Sequence, residues 1–475
     1  MSEIERKELT SGFDVQTAGL RGRWLVEASA GTGKTFALER IVLRLVIEEA
    51  VAIDKILVVT FTNAATAELR ERVRALFYKA ASTLKNGDER SEFEAFFERS
   101  RSRKHDPAVL IESALEHFDE ASILTIHGFC QKMLSEFIFT RAGAYDVEFV
   151  SDTGFEDEVT QAFLRRELPA LTPEQRAVVL EWKSLPKLLS KLGEHGSSVK
   201  PKAWIDSDDL CDPTLKALFE RFLEEGPRRV RELERQHGVK SFSALLTEMY
   251  SLVKSGDSAL ERIRNRYDAV LIDEFQDTDR VQYRIFKTLF LADVPEAPKS
   301  VFFVGDPKQA IYAFRGAELD VYLQARNDIE QMGSQSDTAG LRTLVTNYRS
   351  TPALVTAVNA FFSAEGSSGS FLTANIRYSD LKTGASAMPL VRIRGGKPEF
   401  VPVMSLWVDD ETLEGSKIEA VRKVEAKYMA DDIASLLDGT VYIYRHGQWR
   451  ALRPGDIAIL VKKRTASQHV QRELL

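Results

Sequence analysis

Trp24-Leu25-Val26-Glu27-Ala28-Ser29-Ala30-Gly31-Thr32-Gly33-Lys34-Thr35 is the stretch that decides the fold. Trp24 to Glu27 reads as a short apolar strand. Ala28 to Thr35 then fits the phosphate-binding pattern G-x-x-x-x-G-K-[ST], with Ala28 in the first glycine position. Beyond it Leu38, Ile41, Val42, Leu45 and Val46 recur at helical spacing. A glycine-rich loop between a strand and a helix presents successive backbone N–H groups, and the positive end of the helix dipole, to phosphate oxygens. Gly31 and Gly33 allow the tight turn. Lys34 is expected to reach the β- and γ-phosphates, and the Thr35 hydroxyl to ligate Mg²⁺. Ala28, Ser29, Ala30, Gly31, Thr32, Gly33, Lys34 and Thr35 are therefore the expected nucleotide-binding residues.

Working outward, Ile56 to Thr60 (ILVVT) is a continuous apolar run, as expected of a strand buried on both faces of a parallel sheet. Ala269 to Ile272 (AVLI) and Val301 to Val304 (VFFV) are similar. Strands alternating with helical stretches predict an α/β fold built on a parallel sheet with helices on both faces. Asp273-Glu274 follows the AVLI run directly. A carboxylate at the C-terminal edge of a strand can hold Mg²⁺, and its neighbour can take a proton from the attacking water. Asp273 is accordingly the expected metal residue and Glu274 the expected general base. The long interval between Lys34 and Asp273 requires an insertion. From about 140 to 262 the chain is charged and helix-like, broken by a Gly/Ser/Pro stretch from Gly193 to Pro201. The expected organisation is a first α/β domain from 1–139 and 263–345, a helical insertion at 140–262, and a further domain over 346–475. In the last region strands are expected at Met404 to Val408, Val441 to Tyr444 and Ile457 to Val461, and a helix at Val424 to Leu437. A polar stretch, Glu365 to Ser370, precedes them.

Composition removes other classes. At 475 residues the chain exceeds one ordinary core. No apolar run approaches the roughly 18 residues that span a bilayer, so no membrane partner is expected. The opening MSEIERKELT lacks the basic-then-apolar pattern of a signal peptide. Cys130 and Cys211 are the only cysteines and have no metal-site spacing, which favours a reducing compartment and makes the cytoplasm the expected location. A net charge of −7 speaks mildly against a nucleic-acid partner, but a basic groove can sit on an acidic body. Two stretches are locally basic: Arg70 to Lys104, and Arg228 to Lys240. Either can equally be a solvated helix face with interspersed Glu.

Five further segments occur in order: Thr60 to Arg70 (TFTNAATAELR), Thr125 to Cys130 (TIHGFC), Asp273 to Asp277 (DEFQD), Gly305 to Gly316 (GDPKQAIYAFRG) and Thr346 to Ser350 (TNYRS). This ordered set resembles superfamily 1A DNA helicases, the UvrD/Rep/PcrA class, and within it the N-terminal helicase part of RecB-like exodeoxyribonuclease V beta subunits. The resemblance runs from about residue 20 to 350, with weaker similarity at Pro454 to Val461. It implies a P-loop NTPase of RecA-like fold with a helical insertion (1B-like), followed by an incomplete second RecA-like domain (2A-like). It further implies ATP and Mg²⁺ as cofactors and an ATP-dependent, 3′–5′ DNA helicase or translocase motor in recombinational double-strand-break repair. Single-stranded and tailed double-stranded DNA, with RecC- and RecD-like subunits, are the implied partners.

The same resemblance assigns roles. Gln309 senses the γ-phosphate, Arg349 acts as an arginine finger, and Tyr348 stacks on adenine. Phe61, Thr62, His127, Tyr312 and Phe314 line a single-strand groove, and Arg315 bridges groove and cleft. Aromatic faces stack on any base, which suits a motor on arbitrary DNA. Phe61, Phe129 and Phe314 can also be core aromatics, His127 a structural histidine, Cys130 a small buried residue, and Gln276 and Asp277 supports of the turn. The chain departs from the family in lacking the later TIHKSKGLE- and YVALTR-like segments and a nuclease domain, and Ser241 to Leu246 stands where an acidic FDD-type segment is usual. The expectation is a truncated product, or a fragment whose remainder is encoded separately. The alternative function is then a catalytically incomplete ATP- and DNA-binding subunit that needs a partner chain.

Overall fold

The computed structural model describes residues 13–87, 91–138, 148–150, 154–182, 184–195, 212–256, 258–311, 319–334, 336–363, 376, 378–384, 387–402, 418–445, 447–461 and 464–474. The chain divides into two compact units, one of Met1–Ala28 and Lys34–Leu344, the other of Ser29–Gly33 and Val345–Leu475.

The strands of the first unit are β1 (Gly22–Ala28), β2 (Ile56–Thr60), β3 (Ser122–Thr125), β4 (Glu148–Val150), β5 (Val239–Ser241), β6 (Ala269–Ile272), β7 (Ser300–Gly305) and β8 (Ala339–Leu344). Six of them form one sheet in the order β3-β2-β6-β7-β1-β8, every pair parallel, while β4 and β5 pair separately. The expected α/β parallel sheet is present. Every residue of β2, β6 and β7 is buried, because helices cover both faces of a parallel sheet.

The helices of this unit are α1 (Lys34–Glu49), α2 (Asn63–Asn86), α3 (Glu94–Ser102), α4 (Pro107–Glu116), α5 (Ile126–Ile138), α6 (Phe155–Glu167), α7 (Pro173–Leu180), α8 (Leu185–His195), α9 (Pro213–His237), α10 (Phe242–Lys254), α11 (Ser258–Arg266), α12 (Arg280–Phe290) and α13 (Leu319–Gly333). The two-residue period of the strands sorts their side chains. Trp24, Val26, Ile56, Val58, Leu271, Phe302 and Val304 pack with α1 to α4. Leu25, Leu57, Val59, Val270, Ile272, Val301 and Phe303 pack on the other face with α5 and α10 to α13. Each fully buried aliphatic or aromatic side chain contributes about 1.5–3 kcal/mol, so the two faces together fix the sheet. α1 is buried on nearly all sides, and its polar residues are paired there. The Arg44 guanidinium donates to both Glu48 oxygens, at 2.7 and 3.0 Å.

A third apolar core is separate. Phe155, Val159 and Phe163 of α6 pack with Leu188 of α8 and with Leu218, Phe219 and Phe222 of α9. From α10 onward, Leu245, Met249, Val253 and Ile263 belong to the core of the sheet.

The second unit is smaller. Beyond Ser29–Gly33 it holds β9 (Thr346–Asn347), α14 (Pro352–Phe362), β10 (Lys382–Thr383), β11 (Val391–Arg394), β12 (Lys397–Phe400), α15 (Ile418–Leu436), β13 (Val441–Arg445), β14 (Gln448–Ala451) and α16 (Arg464–Leu474). β9 and β10 are parallel, and β12-β11-β13-β14 is an antiparallel sheet. The expected strand at Val441 and the helix around Val424 are found. Ile457 to Val461 is not a strand. It has no ladder partner among the described residues, and Leu460 is 97% exposed. Met404 to Val408 and Glu365 to Ser370 lie outside the described residues.

Candidate nucleotide and catalytic site

Ala28 is fully buried as the last residue of β1 and is not among the residues with positive φ, so the first position of the loop motif does not demand glycine here. Gly31 (φ 80°) and Gly33 (φ 85°) are left-handed, which L side chains rarely adopt. The loop is held by its own bonds and by the segment after β8. The Thr32 hydroxyl donates to the Ser29 carbonyl at 2.7 Å, and the Tyr348 N–H donates to the Gly31 carbonyl at 2.8 Å. Asn347 Nδ2 donates to the Ala30 carbonyl at 3.1 Å, while its Oδ1 accepts the N–H groups of Arg349 and Ser350 at 2.9 and 2.8 Å. Asn347 thus fastens the loop with one amide, a role the sequence did not reveal. Its only signal was a side chain able to donate and accept at a turn. Tyr348 is exposed, and Gly384 gives its ring room, since a Cβ there would come within 2.6 Å of it. Arg349 is also exposed.

Lys34 opens α1, and Thr35 follows it, half-buried in the first turn. The Lys34 ammonium meets Glu274 Oε2 at 2.5 Å, which joins the loop helix to the end of β6 across the long insertion. Glu274 is left-handed (φ 49°, ψ 42°), a conformation that costs a non-glycine residue about 1–3 kcal/mol and persists where surroundings enforce it. Those surroundings are visible. Asp273 Oδ1 accepts the Glu274 N–H at 2.9 Å, the Asp273 N–H donates to the Val59 carbonyl at 2.8 Å, and Gln276 Nε2 donates to Glu274 Oε2 at 2.7 Å. Burial, and then the Glu274 charge, push the Asp273 carboxyl up to about 6, and the same causes push Asp277 up to about 6. After β7, Asp306 Oδ2 accepts from Gln309 Nε2 at 2.7 Å, and Lys308 spans Asp306 and Glu27 at 2.9 and 2.5 Å.

Of the candidate DNA-facing residues, Phe61, Thr62 and His127 sit at the same edge of the sheet. Thr60 pairs with Thr125, so the chain leaves β2 and β3 side by side. Phe61 is half-buried there, and Thr62 is exposed and caps α2 by accepting the Ala65 N–H at 3.1 Å. His127, in the first turn of α5, lies 4.7 Å from the Phe242 ring, and burial holds its imidazole below the usual range. Phe129 and Cys130 are fully buried in the core, Phe129 among Tyr267, Phe286 and Phe290. Tyr312, Phe314 and Arg315 lie outside the described residues.

The two basic stretches differ. In the first, Arg72, Arg74, Arg99, Arg101 and Arg103 each pair with a carboxylate, while Arg70 donates to the backbone carbonyls of Ala121 and Ile123. In the second, Arg229 pairs with Glu232 and Lys240 with Glu248, whereas Arg228, Arg231 and Arg235 have no ion pair among the described residues. These three line a groove of about 900 Å³ between α6 and α9 together with Val159, Phe163 and the carboxylates Glu225 and Glu232.

Comparison with known proteins agrees with this arrangement. The family model of the UvrD/REP helicase N-terminal domain matches residues 13–330. RecBCD enzyme subunit RecB of Escherichia coli (strain K12) is 27% identical over 96% of this chain and 47% of that protein. The RecB subunit of Mycobacterium tuberculosis (strain CDC 1551 / Oshkosh) is 31% identical over 92% of this chain and 38% of its own length. That of Mycolicibacterium smegmatis is 33% identical over 71% and 29%. The chain spans less than half the length of these curated relatives. With strand ends, loop and carboxylates in place and the family match covering most of its length, the chain belongs to the UvrD/REP helicases of superfamily 1 and is related to RecB.

Proposed function

We propose that this chain is the motor part of a RecB-type, 3′–5′ DNA translocase or helicase that hydrolyses ATP in recombinational repair of double-strand breaks in the cytoplasm. The observation that carries the reading is the Lys34–Glu274 ion pair, which brings loop helix and acidic strand end together at the C-terminal edge of one parallel sheet. Ligands of open α/β sheets bind at that edge. In this reading residues 28–35 cradle the triphosphate and Tyr348 stacks on adenine. Thr35 and Asp273 hold Mg²⁺, which neutralises phosphate charge when bound. One carboxylate and one hydroxyl beside a phosphate cradle fit a cation that is usually held by one or two carboxylates plus phosphates. A cation would also stabilise the buried Asp273 carboxylate, whose burial opposes its charge.

Glu274 takes the proton of the attacking water through Oε1, because Lys34 and Gln276 both occupy Oε2. Gln309 and Arg349 act on the γ-phosphate, Arg349 by stabilising transition-state charge. Phe61, Thr62, His127, Tyr312, Phe314 and Arg315 contact the single strand. Residues 1–139 and 263–345 form the first motor domain, 140–262 the insertion and 346–475 part of the second. The separate core of α6, α8 and α9 supports the insertion. DNA with a single-stranded tail is the substrate, and RecC- and RecD-like chains are the partners.

The test is ATP hydrolysis by the purified chain with and without single-stranded DNA. Stimulation by DNA that Lys34→Ala abolishes is the expected result. A second reading is a subunit that binds ATP and DNA but turns over only with a partner chain. Nucleotide binding without turnover would select it, and absence of both binding and stimulation would reject both readings.

A further inference from the structure

We infer that Gln276 is the positioning residue of the general base, orienting Glu274 and tying it to the Asp306–Gln309 turn, and that Gly305 is glycine to give this side chain passage. The inference rests on Glu274 being the base.

Gln276 is 3% exposed and both ends of its amide are used. Nε2 donates to Glu274 Oε2 at 2.7 Å, and Oε1 accepts the Asp306 N–H at 2.9 Å in a fully buried bond. A carboxamide carries a donor and an acceptor on one rigid plane without charge, which suits a link between a carboxylate and a backbone N–H. The link has a direction. Lys34 also binds Oε2, so both partners hold the same oxygen of Glu274. On the other side, the carboxylate of Asp306 accepts from Gln309 at 2.7 Å. One side chain therefore joins the proton-accepting carboxylate to the turn that carries the expected γ-phosphate sensor.

Gly305 supplies the independent observation. Its φ is not in the left-handed range, so conformation does not demand glycine there. Space does. A Cβ on Gly305 would sit 2.6 Å from Gln276 Oε1 and 3.1 Å from the backbone nitrogens of both Gln276 and Phe275. Two of these neighbours are backbone atoms of the turn that holds Glu274, so the strain would fall on the Gln276–Glu274 arrangement.

The experiment is DNA-stimulated ATPase kinetics on the full chain with Gln276→Met, Gln276→Glu, Gly305→Ala and the Gln276→Met/Gly305→Ala double variant. Hydrogen exchange over residues 304–310 accompanies it. Gln276→Met should lower kcat about 10- to 100-fold with KM changed less than about 3-fold, a part of the 10²–10⁴ that a placed base supplies. Gly305→Ala should do the same, and the double variant should be no worse than the poorer single one, since both break one link. Gln276→Glu keeps the acceptor for Asp306 but sets a carboxylate against Glu274. It should retain the slow exchange of 304–310 and still lose kcat, a split that a purely structural role would not produce. Unchanged kcat in Gln276→Met, a loss confined to KM, or losses that multiply in the double variant overturns the proposal. A wild-type chain without turnover refutes the functional reading instead. Exchange then decides the link: faster exchange at 304–310 in Gln276→Met and Gly305→Ala, but not in Gln276→Glu, supports it, and wild-type exchange in all three overturns it.

Discussion

At Asp277 a carboxylate is almost wholly buried beside Glu274, and its Oδ1 has no hydrogen-bond partner among the described residues. Burial pushes this group up to about 6, against an ordinary value of 3.8. Below about pH 3 it is protonated in both folded and unfolded chains. Between about 3 and 6 the unfolded chain ionises first, so the stability this group permits falls as pH rises, and well above 6 the penalty is constant. Asp277→Asn should therefore unfold at higher denaturant than the wild type at pH 7.5, by on the order of 3 kcal/mol, with the gain vanishing below about pH 3. Equal gains at both pH values would show that the charge is not the cause. A native protein keeps such a residue when its site needs it. Lys34, Asp273 and Glu274 were legible as residues because their chemistry comes with local spacing. Gln276 was legible only as a support of the turn, and Asn347 and Gly305 were not legible. Their meaning lies in contacts with Ala30, Asp306 and Glu274, and in space, none of which spacing encodes.

Among elements, α2 begins at a side chain with two assignments. Thr62 is a candidate DNA contact and also the N-cap of a 24-residue helix. Thr62→Ala should cost about 1 kcal/mol of stability through the cap alone, measured by denaturant unfolding. A loss of DNA affinity larger than that of an equally destabilising cap variant elsewhere would assign the contact. On α9, Arg228, Arg231 and Arg235 stand at i, i+3 and i+7, one face of the helix over about 10 Å. If a phosphate backbone lies in the groove beside them, replacing all three with Ala should weaken binding across sequences. The slope of log affinity against log salt should also flatten by about 2, at about 0.7 per phosphate contact on a single strand. An unchanged slope would leave the stripe as a solvated face. The central strands were readable from sequence because burial on both faces leaves an unbroken apolar run. Ile457 to Val461 shows the limit, since an apolar run becomes a strand only where a neighbour offers a ladder.

At the scale of the molecule, three apolar cores are found in the first unit among the described residues, and two of them touch the six-stranded sheet. Phe222 is fully buried in the third. Phe222→Ala should destabilise that core by about 3–5 kcal/mol, while hydrogen exchange of β2 and β6 stays as in the wild type. Faster exchange in the sheet would mean that the insertion and the sheet unfold as one. Helical content between 140 and 262 was visible in composition, but the packing of α10 and α11 back onto the sheet was not, because one amphipathic pattern serves either core. By itself the sequence determined the parallel sheet, the nucleotide loop and the acidic strand end. Their signals are short-range: apolar runs, glycine at a turn, charge beside a strand. Only the tertiary structure decided which basic side chains are taken up by ion pairs, which aromatic is core, and how Glu274 is held. Each depends on groups distant in the chain meeting within a few ångströms.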